Sequence, residues 1–131
     1  MNDATSPKQD ISSREDISLL VHTFYEKIHA DPFMAPVFQM PTEEFERHVQ
    51  RTINFWENWL FQTGNYDGGM MWVHIQKHQE HPMTKKHFEH WLAWWFHSTH
   101  LLFEGPKATF VKEKALEIGN LMLNRLPQST N

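Results

Sequence analysis

The apolar positions of this chain recur at helical rather than strand spacing. Ile17, Leu20, Val21, Phe24 and Ile28 fall at i, i+3, i+4, i+7 and i+11, which predicts an amphipathic helix with a narrow inward stripe. Ser13 followed by Asp16 resembles a capping box at its start, and Asp31-Pro32 stops it. Tyr25 lies one residue off the stripe, where its ring can enter a pocket edge while its hydroxyl seeks a partner. Residues 33–38 form an apolar corner marked by prolines, read as one helical turn. A second long helix begins at Pro41-Thr42, with Thr42 expected as N-cap and Glu43 and Glu44 favourable to the helix dipole. Its stripe is Phe45, His48, Val49, Thr52, Ile53, Trp56 and Leu60, so a histidine and a threonine sit inside an apolar face.

A glycine-rich turn (Gly64, Gly68, Gly69) then opens the short segment Met70-Met71-Trp72-Val73, which delivers His74 and, one helical turn on, His78. Pro82 breaks the chain and Thr84 caps a third long helix with the stripe Phe88, Trp91, Leu92, Trp95, Thr99 and Leu102. Gly105-Pro106 separates it from a fourth, where Val111, Ala115, Ile118, Met122 and Leu126 face inward and Pro127 ends the run. No strand alternation and no repeat interrupts this. The pattern predicts an all-α fold of four substantial helices plus a short helical piece holding His74. It forms one domain over residues 13–127, with a disordered lead at 1–12 and a tail at 128–131.

Composition narrows the function classes. The chain has 131 residues, enough for one real core. Ten histidines and an aromatic content of 14%, with six Trp, stand out against a mean hydropathy of −0.61. Apolar material is therefore concentrated in a few bulky side chains that could line a cavity or simply fill a core. With no cysteine, disulfides, thiolate metal sites and thiol nucleophiles are excluded. That is compatible with a reducing cytoplasm, the expected location. The N-terminus lacks the apolar stretch of a signal peptide, and no run reaches a membrane span. A net charge of −4 without a basic block argues against nucleic acid as a partner.

Taken singly, the candidate residues have bland readings. His48 on an apolar stripe is by default a core histidine satisfied by a neighbour, Tyr25 a core-edge tyrosine and Trp91 core packing. Their combination is more informative: three polar-tipped side chains on three helices face inward, opposite a short segment carrying another histidine. A histidine there, flanked by Met and Trp, suits an axial ligand to a flat apolar cofactor such as haem. His74/His78, His78/His81, His87/His90 and His97/His100 also have spacings that metal sites use, but no H-E-x-x-H occurs. The Glu-x-x-His repeats of di-iron bundles, a nucleophile elbow and a phosphate loop are missing too. A helical interaction domain without haem and a His-rich metal-binding helical protein remain as alternatives.

FYEKIHADPFMAPVF (residues 24–38), His48 followed by Asn54-Phe55-Trp56, GNYDGGMMWVH, HFEHWLAWWF (residues 87–96) and Phe103-Glu104-Gly105 occur in this order. The ordered set, over about residues 14–126, resembles the truncated haemoglobins, specifically group III. The resemblance implies a globin-like sandwich of two helices over two around one haem b (iron protoporphyrin IX). His74 matches the proximal iron ligand, with His78 as the alternative because spacing measured back from Trp91 falls between the two. Tyr25, His48 and Trp91 match the distal ligand pocket. Phe24, Phe38, Thr52, Trp56, Met71, Met83 and Trp95 are the expected haem-packing residues, and Arg47 or Arg51 the propionate contact. The implied function is binding of O2 and other small diatomic ligands at a five-coordinate iron, for ligand binding, sensing, or detoxification of NO and reactive species. NO dioxygenase or peroxidase-like chemistry, fed by an electron-donor reductase, belongs to the same implication.

Overall fold

The inward stripe of the first helix closes as its periodicity predicts. The computed structural model describes residues 8–63 and 84–125, with side chains through residue 122. Here α1 spans Arg14–Ala30 and buries Ile17, Leu20, Val21, Phe24, Tyr25 and Ile28. The Ser13 hydroxyl accepts from the Asp16 N–H at 3.2 Å, satisfying one of the orphan donors of the first turn. The Asp16 carboxylate reaches one residue further back than a capping box requires, accepting from the Ser12 N–H at 2.9 Å and its hydroxyl at 3.0 Å. Asp31 turns extended and ends the helix, its N–H donating to the Ile28 carbonyl.

A 3-10 turn, Ala35–Phe38, buries Val37 and Phe38. The second helix, α2, spans Thr42–Phe61. Pro41 rather than Thr42 occupies the N-cap, and no side chain caps the helix. The proline ring presets a φ of −56°, and the Pro41 carbonyl accepts the first helical bond from the Phe45 N–H at 2.9 Å. Thr42 is therefore already helical, and the expectation of a threonine cap is corrected. The stripe holds at its centre, where His48, Val49, Thr52, Ile53 and Trp56 are buried; Phe45 and Leu60 at its ends are half-buried, and Phe55, outside the stripe, is buried as well.

Thr84 caps α3, Lys85–Leu102, in a full reciprocal box. Its hydroxyl accepts from the His87 N–H at 3.3 Å while His87 Nδ1 accepts from the Thr84 N–H at 3.0 Å, so an imidazole takes the usual role of Glu. The last helix, α4, spans Pro106–Arg125 with Pro106 at its first position. It draws its cap from far away. Asp10 accepts from the Lys107 N–H at 3.0 Å and from the Ala108 N–H at 2.8 Å. Ile11 beside it is 1% exposed, and the Glu104 N–H donates to the Gln9 carbonyl. Residues 9–11, placed in a disordered lead by sequence pattern, are thus fastened to the start of α4. The pattern missed this because their partners lie almost a hundred residues away.

Among the described residues the fold is all helix and turn. α1 lies across both α2 and α3, α3 packs on α4, and Trp56 of α2 stacks on Trp95 of α3. Arg14 pins the other end of α1 to α2 through Asn54 and Glu57, at 2.8 and 2.7 Å. No described helix is long and apolar enough to cross a membrane. The expected short helix bearing His74 and the stop at Pro127 lie outside the described residues.

Candidate functional site

Where α1 crosses α2, two polar side chains meet inside an apolar wall. Tyr25 and His48 are 4% and 3% exposed, and the Tyr25 hydroxyl lies 2.6 Å from His48 Nε2. Which of the two donates depends on the imidazole tautomer: with a bare Nε2 the phenol donates, and with Nε2–H it accepts. One turn on, Thr52 is buried beside them, its hydroxyl donating to the His48 carbonyl at 2.9 Å. Burial pushes the Tyr25 phenol well above its usual ionisation range, and the neighbouring Thr52 hydroxyl only partly offsets this. The phenol therefore keeps its proton at any physiological pH and remains a donor.

The wall around the pair is aromatic. Phe24 lies 4.9 Å from Tyr25 between ring centroids, Phe45 5.4 Å and Phe38 5.9 Å. Phe24 links the pair to α3, touching Trp95 at 5.2 Å and Trp91 at 6.3 Å. The structure thus brings Tyr25, His48, Thr52, Phe24 and Phe38 into one cluster, continued by Trp95 and Trp56. Trp91 is half-buried and joins it through Phe24. Gly119 of α4 packs beside Leu92 and the Trp91 ring, which an added Cβ would meet at ordinary contact distances of 3.4 and 3.6 Å. Arg47 is exposed and Arg51 half-buried, and neither has an ion-pair partner among the described residues. His74, His78, Met71 and Met83 lie outside the described residues.

Sequence pattern overlooked two parts of this neighbourhood. Phe45 stands edge-on to Tyr25 and near His29 at 4.9 Å, and these two help line an open groove of about 620 Å³ with Phe38 and Met40. Its place on the stripe was the available signal. Asp31, read only as a helix stop, accepts from His90 Nδ1 and Trp94 Nε1, both at 2.9 Å, and from the Phe33 N–H. His87 stacks on Phe33 at 4.2 Å and 13°. The His87/His90 spacing therefore serves the packing of α3 on the corner after α1. Among the described residues no group of three or more His, Asp or Glu is poised to hold a metal ion.

The crossed helices around the tyrosine–histidine pair, together with the solved structures they superpose on, make this a globin fold of the truncated, two-over-two kind. The profile described as bacterial-like globin matches residues 9–109, and the chain belongs to that family. It is 26% identical over 123 residues to the group 3 truncated hemoglobin of Campylobacter jejuni, covering 91% of this chain and 94% of that protein. The crystal structure of a group III truncated hemoglobin from Campylobacter jejuni superposes with a TM-score of 0.80 at 25% identity, covering 95% of this chain and 98% of the other. A group II truncated hemoglobin from Bacillus anthracis shares the fold, with a TM-score of 0.70 at 21% identity and 92% of each chain covered.

Proposed function

We propose that this globin holds haem b against the wall formed by Tyr25, His48 and Trp91, and binds O2 and other small diatomic ligands there. The observation that carries the reading is the buried Tyr25–His48 hydrogen bond of 2.6 Å inside an otherwise aromatic enclosure. The residues present suit such a group. A porphyrin needs broad apolar faces, supplied by Phe24, Phe38, Trp56 and Trp95, and few polar tips, supplied by Tyr25, His48 and Thr52. His74, or alternatively His78, would hold the iron through one ring nitrogen while the other donates to a carbonyl or water and fixes the ring. Arg47 or Arg51 would meet a propionate. Haem, when bound, supplies an iron with one open position and the redox chemistry that goes with it.

The chain's own part is to supply donors to a ligand that gathers negative charge. The Tyr25 phenol stays protonated, and it is freed to point into the pocket whenever His48 presents Nε2–H. The Trp91 indole N–H is a second donor. In a low-dielectric pocket each such bond is worth roughly 1.5–3 kcal/mol. Donors of this strength favour slow release over bulk transport. Ligand sensing, or removal of NO and reactive species with an electron-donor reductase, therefore suits the pocket better, in a cytoplasmic setting.

The test is a visible spectrum of the purified protein after haem supplementation, which is expected to show a Soret band. A colourless protein overturns the reading and favours a haem-free helical interaction domain. His74→Ala is expected to abolish the band. If only His78→Ala does so, the alternative ligand is the right one.

A further inference from the structure

We propose that Trp95, Trp56 and Trp59 form a relay carrying oxidising equivalents from the pocket to the surface, so that exposed Trp59 oxidises small phenolic donors when hydrogen peroxide is the oxidant. This rests on the reading of the pocket as a haem site. The rings form an unbroken series. Phe24 touches both Tyr25 and Trp95, and Trp95 stacks on Trp56 with centroids 5.2 Å apart and planes 18° from parallel. Phe55 then lies 5.0 Å from Trp56 and 6.4 Å from Trp59. Exposure runs from 2% at Trp95 through 4% at Trp56 to 44% at Trp59. Core packing accounts for the two buried indoles. A third indole, joined to them through Phe55, leaves nearly half its surface in water.

Indoles are among the side chains most readily oxidised, whereas Phe55 is not oxidised itself and only fills the space between Trp56 and Trp59. Lys114 Nζ sits 4.0 Å over the Trp59 ring and pairs with Glu117 at 2.6 Å. The cation steadies the ring and opposes loss of an electron from it. The Glu117 carboxylate offsets part of that opposition. The chemistry balances without further reagents. Hydrogen peroxide takes two electrons and two protons and leaves as two waters. Each electron drawn from Trp59 leaves an indolyl radical, whose N–H proton is released. A phenol then returns one electron and one proton, and departs as a phenoxyl radical. Two phenols are consumed per peroxide.

The haem-loaded protein is treated with stoichiometric hydrogen peroxide without donor, then frozen for electron paramagnetic resonance and digested for mass spectrometry. A tryptophanyl radical signal and oxygen addition at Trp59 are expected, both absent from the haem-free chain under the same treatment. Trp56→Phe, compared with the parent at equal Soret absorbance because Trp56 is also a haem-packing residue, is expected to lose oxidation at Trp59 although that indole is still present. Trp59→Phe is expected to lose oxidation of a phenol too bulky for the pocket while peroxide consumption continues. Lys114→Met, at the surface, is expected to raise the yield at Trp59, and it tests the relay even if Trp56→Phe does not fold. Absence of Trp59 oxidation in the parent protein, an unchanged yield in Trp56→Phe, or an unchanged yield in Lys114→Met overturns the relay. A missing Soret band before peroxide is added overturns the haem reading and the relay with it.

Discussion

The Asp31 carboxylate accepts the Trp94 indole N–H at 2.9 Å across 63 positions of sequence, tying the end of α1 to the middle of α3. The same oxygen takes His90 Nδ1, and the other oxygen takes the Phe33 N–H. With the carboxylate side chain only 10% exposed, Asp31→Ala leaves these donors without their acceptor. The expected loss of stability is about 1–3 kcal/mol. Urea unfolding should show a lower midpoint with an unchanged slope.

Acid should act on the same link. Partial burial raises the Asp31 pKa, but hydrogen bonds from His90, Trp94 and the Phe33 N–H outweigh it and bring the group from 3.8 to about 2. A folded-state value below the unfolded one means that the unfolded chain takes up the proton first as pH falls. The stabilisation is complete above 3.8 and is lost between there and about 2. Asp31→Asn should be less stable than the parent at neutral pH, with the gap closing through that window in pH-resolved unfolding curves.

His87 responds in a higher pH range. Burial lowers its pKa below 6.5, and the neighbouring His90 charge adds to the effect. The unfolded state again binds the proton first, so stability falls as pH drops through 6.5 towards the lower folded value. Protonation also removes the Nδ1 acceptor that Thr84 uses to cap α3, and brings a second cation to the Phe33 ring, over which Lys86 already lies at 5.4 Å. His87→Gln keeps an acceptor at that position and removes the titration. Its stability should vary less with pH on the acid side of neutrality than the parent's. An equal slope would show that other histidines carry the effect.

Local pattern carried the helices but not their attachments. Every residue of the α1 stripe is buried because one amphipathic face has only one way to leave water. Tyr25 and His48 were legible as an inward-facing polar pair because a polar tip amid apolar positions must find a partner, and the partner is the other. The start of α2 shifted by one residue because both Pro41 and Thr42 are good helix openers. Asp10 and Asp31 read locally as a lead and a stop, since their partners are on α4 and α3. One hint was available: Gly105-Pro106 offers α4 no capping side chain, so the cap had to come from elsewhere.

Ligand release tests the distal pocket. If the Tyr25 phenol donates to the ligand at roughly 1.5–3 kcal/mol, Tyr25→Phe should raise the O2 dissociation rate about ten- to a hundredfold. CO gathers less charge and should respond less. His48→Leu removes the competing partner of the Tyr25 hydroxyl, leaves its proton permanently free to donate, and should therefore slow O2 release while changing CO release less. Stopped-flow ligand replacement on the haem-loaded protein measures both rates. An O2 rate unchanged in Tyr25→Phe removes that residue from the donor role.

The remote cap of α4 yields a test of coupling. Asp10→Ala removes the acceptor for two N–H groups and should cost about 1 kcal/mol, the usual worth of an N-cap. Gly105 has a φ of +146°, and a Cβ added there would lie 2.6 Å from the Asp10 Cγ and 2.7 Å from its Cβ. Gly105→Ala therefore suffers twice, from a backbone conformation that L-residues avoid and from collision with the cap, and should cost more than Asp10→Ala. In the double variant the Cγ contact is gone while the Cβ contact and the backbone strain persist. The two losses should then sum to more than the loss in the double variant, by an amount that reports the Cγ part of the collision. Strict additivity in thermal or urea unfolding would mean that the Asp10 side chain moves aside, and that its hold on α4 is looser than its 2.8 and 3.0 Å hydrogen bonds imply.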